Sequence, residues 1–237
     1  MTVSEQDIVR NYQEILENIE AARARGVHSA DKVQLVAVSK TVDPEQIRYA
    51  LNAGATVLGE NKVQEIQAKY DDLPGAKWHL IGHLQTNKVK YLVDKVEMIQ
   101  SLDRLELAKE IEKRFGAADR MIPCLLQVNI AEEESKWGMK ESEVLDFCRA
   151  MADFPHIRVR GLMTVGPFVD REEIRPVFAR LRQLRDETAE QIKGLCLPNV
   201  EMKELSMGMS HDYTVAVEEG ATMVRVGSAL FGARIYR

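Results

Sequence analysis

At residues 33–40 the chain reads VQLVAVSK, a largely apolar run that closes on a lysine, and Asp43-Pro44 follows almost at once. A nearly continuous apolar run suits a strand covered on both faces. Asp before Pro reads as an N-cap followed by proline at the first helical position. The unit is strand, then helix. Working outward, seven more apolar, β-rich runs recur at 56–60, 78–82, 98–102, 122–129, 159–166, 201–208 and 223–227. Segments of helical period lie between them. Leu107, Ile111 and Phe115 recur at four-residue steps, and Val177, Leu181, Leu184, Thr188 and Ile192 share one face after the sixth run. A preliminary helix precedes the series, with Ile8, Tyr12, Ile15, Ile19 and Ala22 along one side.

Eight strands alternating with helices either close into a barrel or spread into an open doubly wound sheet. The count favours closure, because eight parallel strands close without leaving edges. No GxGxxG follows the first run, which removes the commonest dinucleotide-binding reading. The expectation is an α/β chain, a single (β/α)8 TIM-type barrel with an extra N-terminal helix, forming one domain over 1–237. The length of 237 residues is about the usual size for one such barrel, although two average domains would also fit.

Composition bounds the partners. With 45% hydrophobic and 29% charged residues the chain matches ordinary soluble proteins, and its net charge of −5 leaves no electrostatic footprint for nucleic acid or an anionic membrane. No apolar run is long enough for a transmembrane helix, and the N-terminus MTVSEQDIVR lacks the apolar core of a secretory signal. Cys124, Cys148 and Cys196 lie far apart and form no CxxC pair, which points to structural thiols in a reducing cytoplasm. His79 and His83 stand four apart without an HExxH motif or a third ligand nearby, so no metal site is expected.

In a parallel barrel the site lies where strands end. Lys40 ends the first run, where the ammonium is poorly solvated, and a neutral amine is the form that condenses with an aldehyde. A solvated strand-end lysine is the other reading. The seventh run ends in Ser206-Met207-Gly208-Met209-Ser210 and the eighth in Arg225-Val226-Gly227-Ser228. Glycine and backbone N–H groups at these ends suit a phosphate, while helix capping, by Ser210 for instance, explains them equally well. Arg225 shares a face with Gly227 and points inward, toward either a ligand acceptor or an internal carboxylate such as Glu204. The acidic loop Glu132-Glu133-Glu134-Ser135-Lys136 reads as solvated, with Lys136 within reach of the mouth.

Taken together, AVSK at 37–40, GEN at 59–61, WHLIGHLQTNK at 78–88, QVNIAEEESKWG at 127–138, GLMTVGP at 161–167, LSMGMSHDY at 205–213 and VRVGSALFGAR at 224–234 resemble the pyridoxal phosphate homeostasis family. The resemblance spans nearly the whole chain in the family's order. It implies a barrel like the N-terminal domain of alanine racemase, of the fold-type III kind, holding pyridoxal 5′-phosphate (PLP) as a Schiff base on Lys40. It implies phosphate contacts from Ser206, Gly227 and Ser228, with Arg225 near the pyridine nitrogen and Asn61 as a wall of the pocket. Many members carry Thr where this chain has Ser228, which keeps the hydroxyl.

An arginine at the pyridine nitrogen keeps that atom unprotonated and weakens the ring as an electron sink. In alanine racemase the second acid–base group comes from a further domain of the partner subunit. This chain ends at Arg237 after the eighth run, and Tyr213, the nearest substitute, falls within the helix after strand seven and is expected to pack there. The leading expectation is therefore a PLP carrier and regulator of the cofactor pool with little turnover, monomeric, with PLP-dependent apoenzymes as candidate recipients. A PLP-dependent amino-acid racemase is one alternative. A barrel enzyme for another phosphate ester, without PLP, is a second. A reducible covalent adduct on Lys40 excludes the latter, and α-proton exchange in deuterium oxide separates the former.

Overall fold

The computed structural model describes residues 3–133 and 137–232, so the expected approach of Lys136 to the mouth falls outside the described residues. Eight parallel strands follow one another in chain order: β1 (Gln34–Val38), β2 (Val57–Glu60), β3 (Lys77–Leu80), β4 (Met98–Leu102), β5 (Ile122–Gln127), β6 (Ile157–Met163), β7 (Val200–Met209) and β8 (Met223–Val226). Strand β8 returns to pair with β1, and the sheet closes into a barrel. All eight expected runs are strands. Their trimmed ends matter at the site, because Lys40 lies two residues beyond β1 rather than within it.

The helices are α1 (Glu5–Arg25), α2 (Pro44–Asn52), α3 (Val63–Lys69), α4 (Leu105–Ala117), α5 (Val144–Ala150), α6 (Arg175–Ile192), α7 (Tyr213–Glu218) and α8 (Ser228–Phe231). A 3-10 segment, Thr86–Tyr91, takes the helical place between β3 and β4. The expected face of α1 is the buried one, from Ile8 to Ala22. On α6 the inward positions are Phe178, Leu181, Leu184, Thr188 and Ile192, with Phe178 in place of the expected Val177. Burying a large aliphatic or aromatic side chain is worth roughly 1.5–3 kcal/mol, so these stripes attach each helix to the sheet. Asp43 does sit at the N-cap of α2, but its side chain makes no capping bond. Cys124 and Cys148 are buried, and burial pushes both thiols up, that of Cys148 to about 12. Cys196 is exposed and free, unlike the packed thiol expected.

Strand alternation divides the core in two. Outward residues such as Leu35, Leu58, Ile99 and Cys124 join one cluster under the helices, while Met98, Leu125, Met163 and Met223 form a second. Pairing of Val36 with Arg225 and of His79 with Met98 puts His79, Met98, Met223 and Arg225 on the inner face. Gly161 shows why one inner position lacks a side chain. Its φ is +154°, and a Cβ there would lie 2.0 Å from the Glu204 carbonyl oxygen on β7. The ladder shifts register beside it, between Val159 and Gly161. Among the described residues no helix is long and apolar enough to cross a membrane.

Candidate functional site

The C-terminal ends of β1, β2, β7 and β8 surround a cavity of about 350 Å³ lined by residues that include Lys40, Asn61, Ser210, Arg225, Gly227 and Ser228. Five of the six residues singled out from the sequence meet there. Ser206 does not. It lies within β7, fully buried, and takes part in a hydrogen-bonded chain inside the barrel.

That chain has a direction. Arg225 donates from Nη1 to Ser206 Oγ at 2.6 Å, Ser206 donates to Gln100 Oε1 at 2.7 Å, and Gln100 Nε2 lies 3.0 Å from His79 Nδ1. With its carbonyl accepting from Ser206, the Gln100 amide donates to the imidazole, which must present a lone pair. Burial lowers His79 to about 4, consistent with a neutral ring. Arg225 also donates from Nη2 to the Thr164 carbonyl at 2.7 Å. The expected alternative of a salt bridge to Glu204 is not found, because Glu204 accepts from Thr222 instead. Burial lowers Arg225 to about 10, with the charge of Asp212 opposing, so it remains a cation at neutral pH. It is a buried cation without a carboxylate at ion-pair distance among the described residues. A guanidinium has five N–H donors, and two hydrogen bonds leave capacity for a ligand.

On the β7–β8 side the backbone N–H groups of Gly227 and Ala229 both donate to Ser210 Oγ, at 3.1 and 3.2 Å. Ser210 is therefore not the helix cap expected, since Asp212 holds that place on α7. Two N–H groups converging on one oxygen are the arrangement a phosphate oxygen needs.

Lys40 lines the same cavity, just past the end of β1, the strand that pairs with β8, and makes no hydrogen bond or ion pair with the described residues. Its neighbours are firmly held. The Ser39 N–H pairs with the Gly59 carbonyl at 3.1 Å, and Thr41 adopts the left-handed region at φ 61°, which is uncommon for a β-branched residue. Gly82 sets the place of Asn61, because a Cβ on Gly82 would lie 2.4 Å from the Asn61 carbonyl oxygen.

Around the rim, His83 stacks on Trp137 with ring centroids 3.6 Å apart, and Phe168 is 88% exposed beside His211. Tyr213 packs as expected, with burial raising its hydroxyl above the ordinary value. Ser210, read from the sequence as part of the strand-seven end or as a helix cap, lines the mouth, whereas the Gln100–His79 pair went unread. A polar Gln100 in an apolar run was the available signal. PLP carries an aldehyde, a dianionic phosphate and a ring nitrogen. The donor set fits each: a primary amine without a partner among the described residues, convergent N–H groups, and a buried guanidinium.

The model of the alanine racemase N-terminal domain matches residues 11–235. A pyridoxal phosphate homeostasis protein of Aquifex aeolicus is 45% identical over 225 residues, covering 94% of this chain and 96% of its own length. One from Escherichia coli K12 is 36% identical, covering 97% of this chain and 98% of its own. PipY of Synechococcus elongatus, solved with PLP bound, superposes with a TM-score of 0.78 at 34% identity, covering 91% of this chain and 99% of its own. Matches of this extent, on the same closed barrel, leave one assignment: the chain belongs to the pyridoxal phosphate homeostasis protein family.

Proposed function

We propose that this protein binds PLP at the mouth of its barrel and serves PLP homeostasis in the cytoplasm, holding the cofactor on Lys40 and catalysing little or no turnover. The observation that carries this reading is Lys40, an amine without a partner among the described residues, in a cavity of about 350 Å³ that it shares with the convergent N–H groups of the β7–β8 side. PLP supplies an aldehyde that condenses with primary amines and a ring that withdraws electrons. Lys40 would hold it covalently, Gly227, Ser228 and the adjoining N–H groups would hold its phosphate, and Asn61 would wall one side. Arg225 would meet the pyridine nitrogen. Anchored by Ser206 and Thr164, its guanidinium keeps its own protons and leaves that nitrogen without one.

Ser206 has no place among the phosphate ligands in this reading. It supports Arg225 from below. The reading is of a monomer that works as one domain over its length. Hand-over of the cofactor to PLP-dependent apoenzymes belongs to the same proposal.

The test is spectral and chemical. Purified protein with PLP should show a yellow band that borohydride bleaches, peptide mapping should place the reduced adduct on Lys40, and Lys40→Ala should lack both. A borohydride-stable adduct that survives in Lys40→Ala, on Lys136 for example, would overturn the assignment. Rapid α-proton exchange on free amino acids in deuterium oxide, at enzymatic rates of about 1 s⁻¹ or more, would favour the racemase instead.

A further inference from the structure

Behind Lys40, on the side away from the cavity, lies a cluster of charges that PLP binding alone does not require. Lys69, the last residue of α3, is only 7% exposed. Its ammonium donates to the Ser39 carbonyl at 2.7 Å, to Glu60 Oε1 at 2.8 Å and to Glu65 Oε2 at 2.9 Å. Glu65 Oε2 in turn accepts the Thr41 N–H at 2.7 Å. Ser39 Oγ donates to Glu60 Oε1 at 2.7 Å. Every one of these bonds ends on the residue before Lys40, the residue after it, or a partner of one of them. Burial raises Glu60, against the pull of Lys69, and its second oxygen has no partner among the described residues.

Taking an ammonium out of water is costly, and a buried ion pair is poor evidence of stability on its own. What this one does distinctively is fix geometry. The carbonyl preceding Lys40 and the N–H following it are tied to one ion cluster, and Thr41 is kept in the left-handed region where a β-branched side chain is disfavoured. We infer that Lys69 is a positioning residue, which through Glu60 and Glu65 locks the Ser39–Thr41 backbone so that the Lys40 amine is presented to an aldehyde. The inference rests on the reading that Lys40 carries PLP. Lys69 itself touches neither the cavity lining nor the cofactor's expected contacts.

The discriminating measurement compares two ligands that differ only at the reacting carbon. PLP bonds to Lys40, whereas pyridoxine 5′-phosphate, with an alcohol in place of the aldehyde, shares every other contact. Affinities for both are measured on wild type, Glu65→Gln, Lys69→Arg and the double variant Glu60→Gln/Lys69→Met, which removes the buried charges together and avoids a stranded carboxylate at Glu60. The double variant should lower the ratio of PLP to pyridoxine 5′-phosphate affinity about tenfold, equivalent to 1.4 kcal/mol. Glu65→Gln should lower it about threefold, and Lys69→Arg should keep it within about threefold of wild type, because guanidinium preserves charge and donors. A merely structural role would weaken both ligands equally or shift only the melting temperature. A ratio unchanged within about twofold in Glu65→Gln and in the double variant overturns the inference, and if the double variant fails to fold, Glu65→Gln decides it. A wild-type protein with no reducible adduct on Lys40 would instead sink the PLP reading, and the inference with it.

Discussion

Replacing Ser206 by Ala separates a cofactor ligand from a support beneath it. Ser206 is fully buried and mediates between two partners, accepting from Arg225 and donating to Gln100. Alanine removes both bonds and leaves Gln100 Oε1 and one Arg225 N–H inside the barrel without that partner. A buried polar group left unsatisfied costs about 1–3 kcal/mol, and more when it is charged, so a loss of about 3 kcal/mol is expected for the pair. For a chain of this size that lowers the melting temperature by about 6–12 °C. Because the bond lost on the ligand side is one that orients Arg225, affinity for PLP and for pyridoxal should fall by the same factor. Thermal unfolding and parallel titrations with the two ligands provide the assay. A phosphate-specific loss with an unchanged melting temperature would refute the reasoning and return Ser206 to the phosphate.

Ser228→Ala should do the reverse, weakening PLP relative to pyridoxal by roughly 1.5–3 kcal/mol with little change in melting, as paired titrations and melting curves would reveal. Gly82→Ala should force Asn61 aside, since the new Cβ meets that backbone at 2.4 Å, and denaturant midpoints together with PLP titration should record losses in both stability and affinity. His79 predicts a pH dependence. Its folded value of about 4 lies below the ordinary 6.5, so its contribution to stability is complete above 6.5 and is lost as pH falls toward 4. At pH 5 the loss is about 2 kcal/mol. Urea unfolding at pH 7 and pH 5 should show it in wild type, and His79→Gln should flatten that part of the profile.

The barrel was legible because its strands are covered on both faces, so that each appears as an apolar run without needing alternation. Lys40 was legible for a related reason: it is the first long charged side chain after such a run. Ser206, which the family resemblance implied at the phosphate, lies below the mouth because β7 extends to Met209 and its ladder with β8 shifts register between Ser206 and Met209. Counting from the end of the run cannot detect that shift, and nothing local distinguishes Ser206 from Ser210. Lys69 was invisible for a different reason. On α3 it stands four residues after Glu65 like any surface pair, and only closure of β2 against β1 brings Glu60 and the Ser39 carbonyl to its ammonium.

The Ser210 hydroxyl has a consequence for how firmly an anion can be kept. The N–H groups of Gly227 and Ala229 already have an acceptor, so a phosphate oxygen arriving there replaces one oxygen with another. The gain is only the difference between a charge-assisted hydrogen bond and a neutral one, about 1 kcal/mol for each N–H. Departure is eased by the same substitution, because the hydroxyl is at hand to take the donors back. A mouth furnished with its own replacement ligand trades residence time for ready exchange of its cargo.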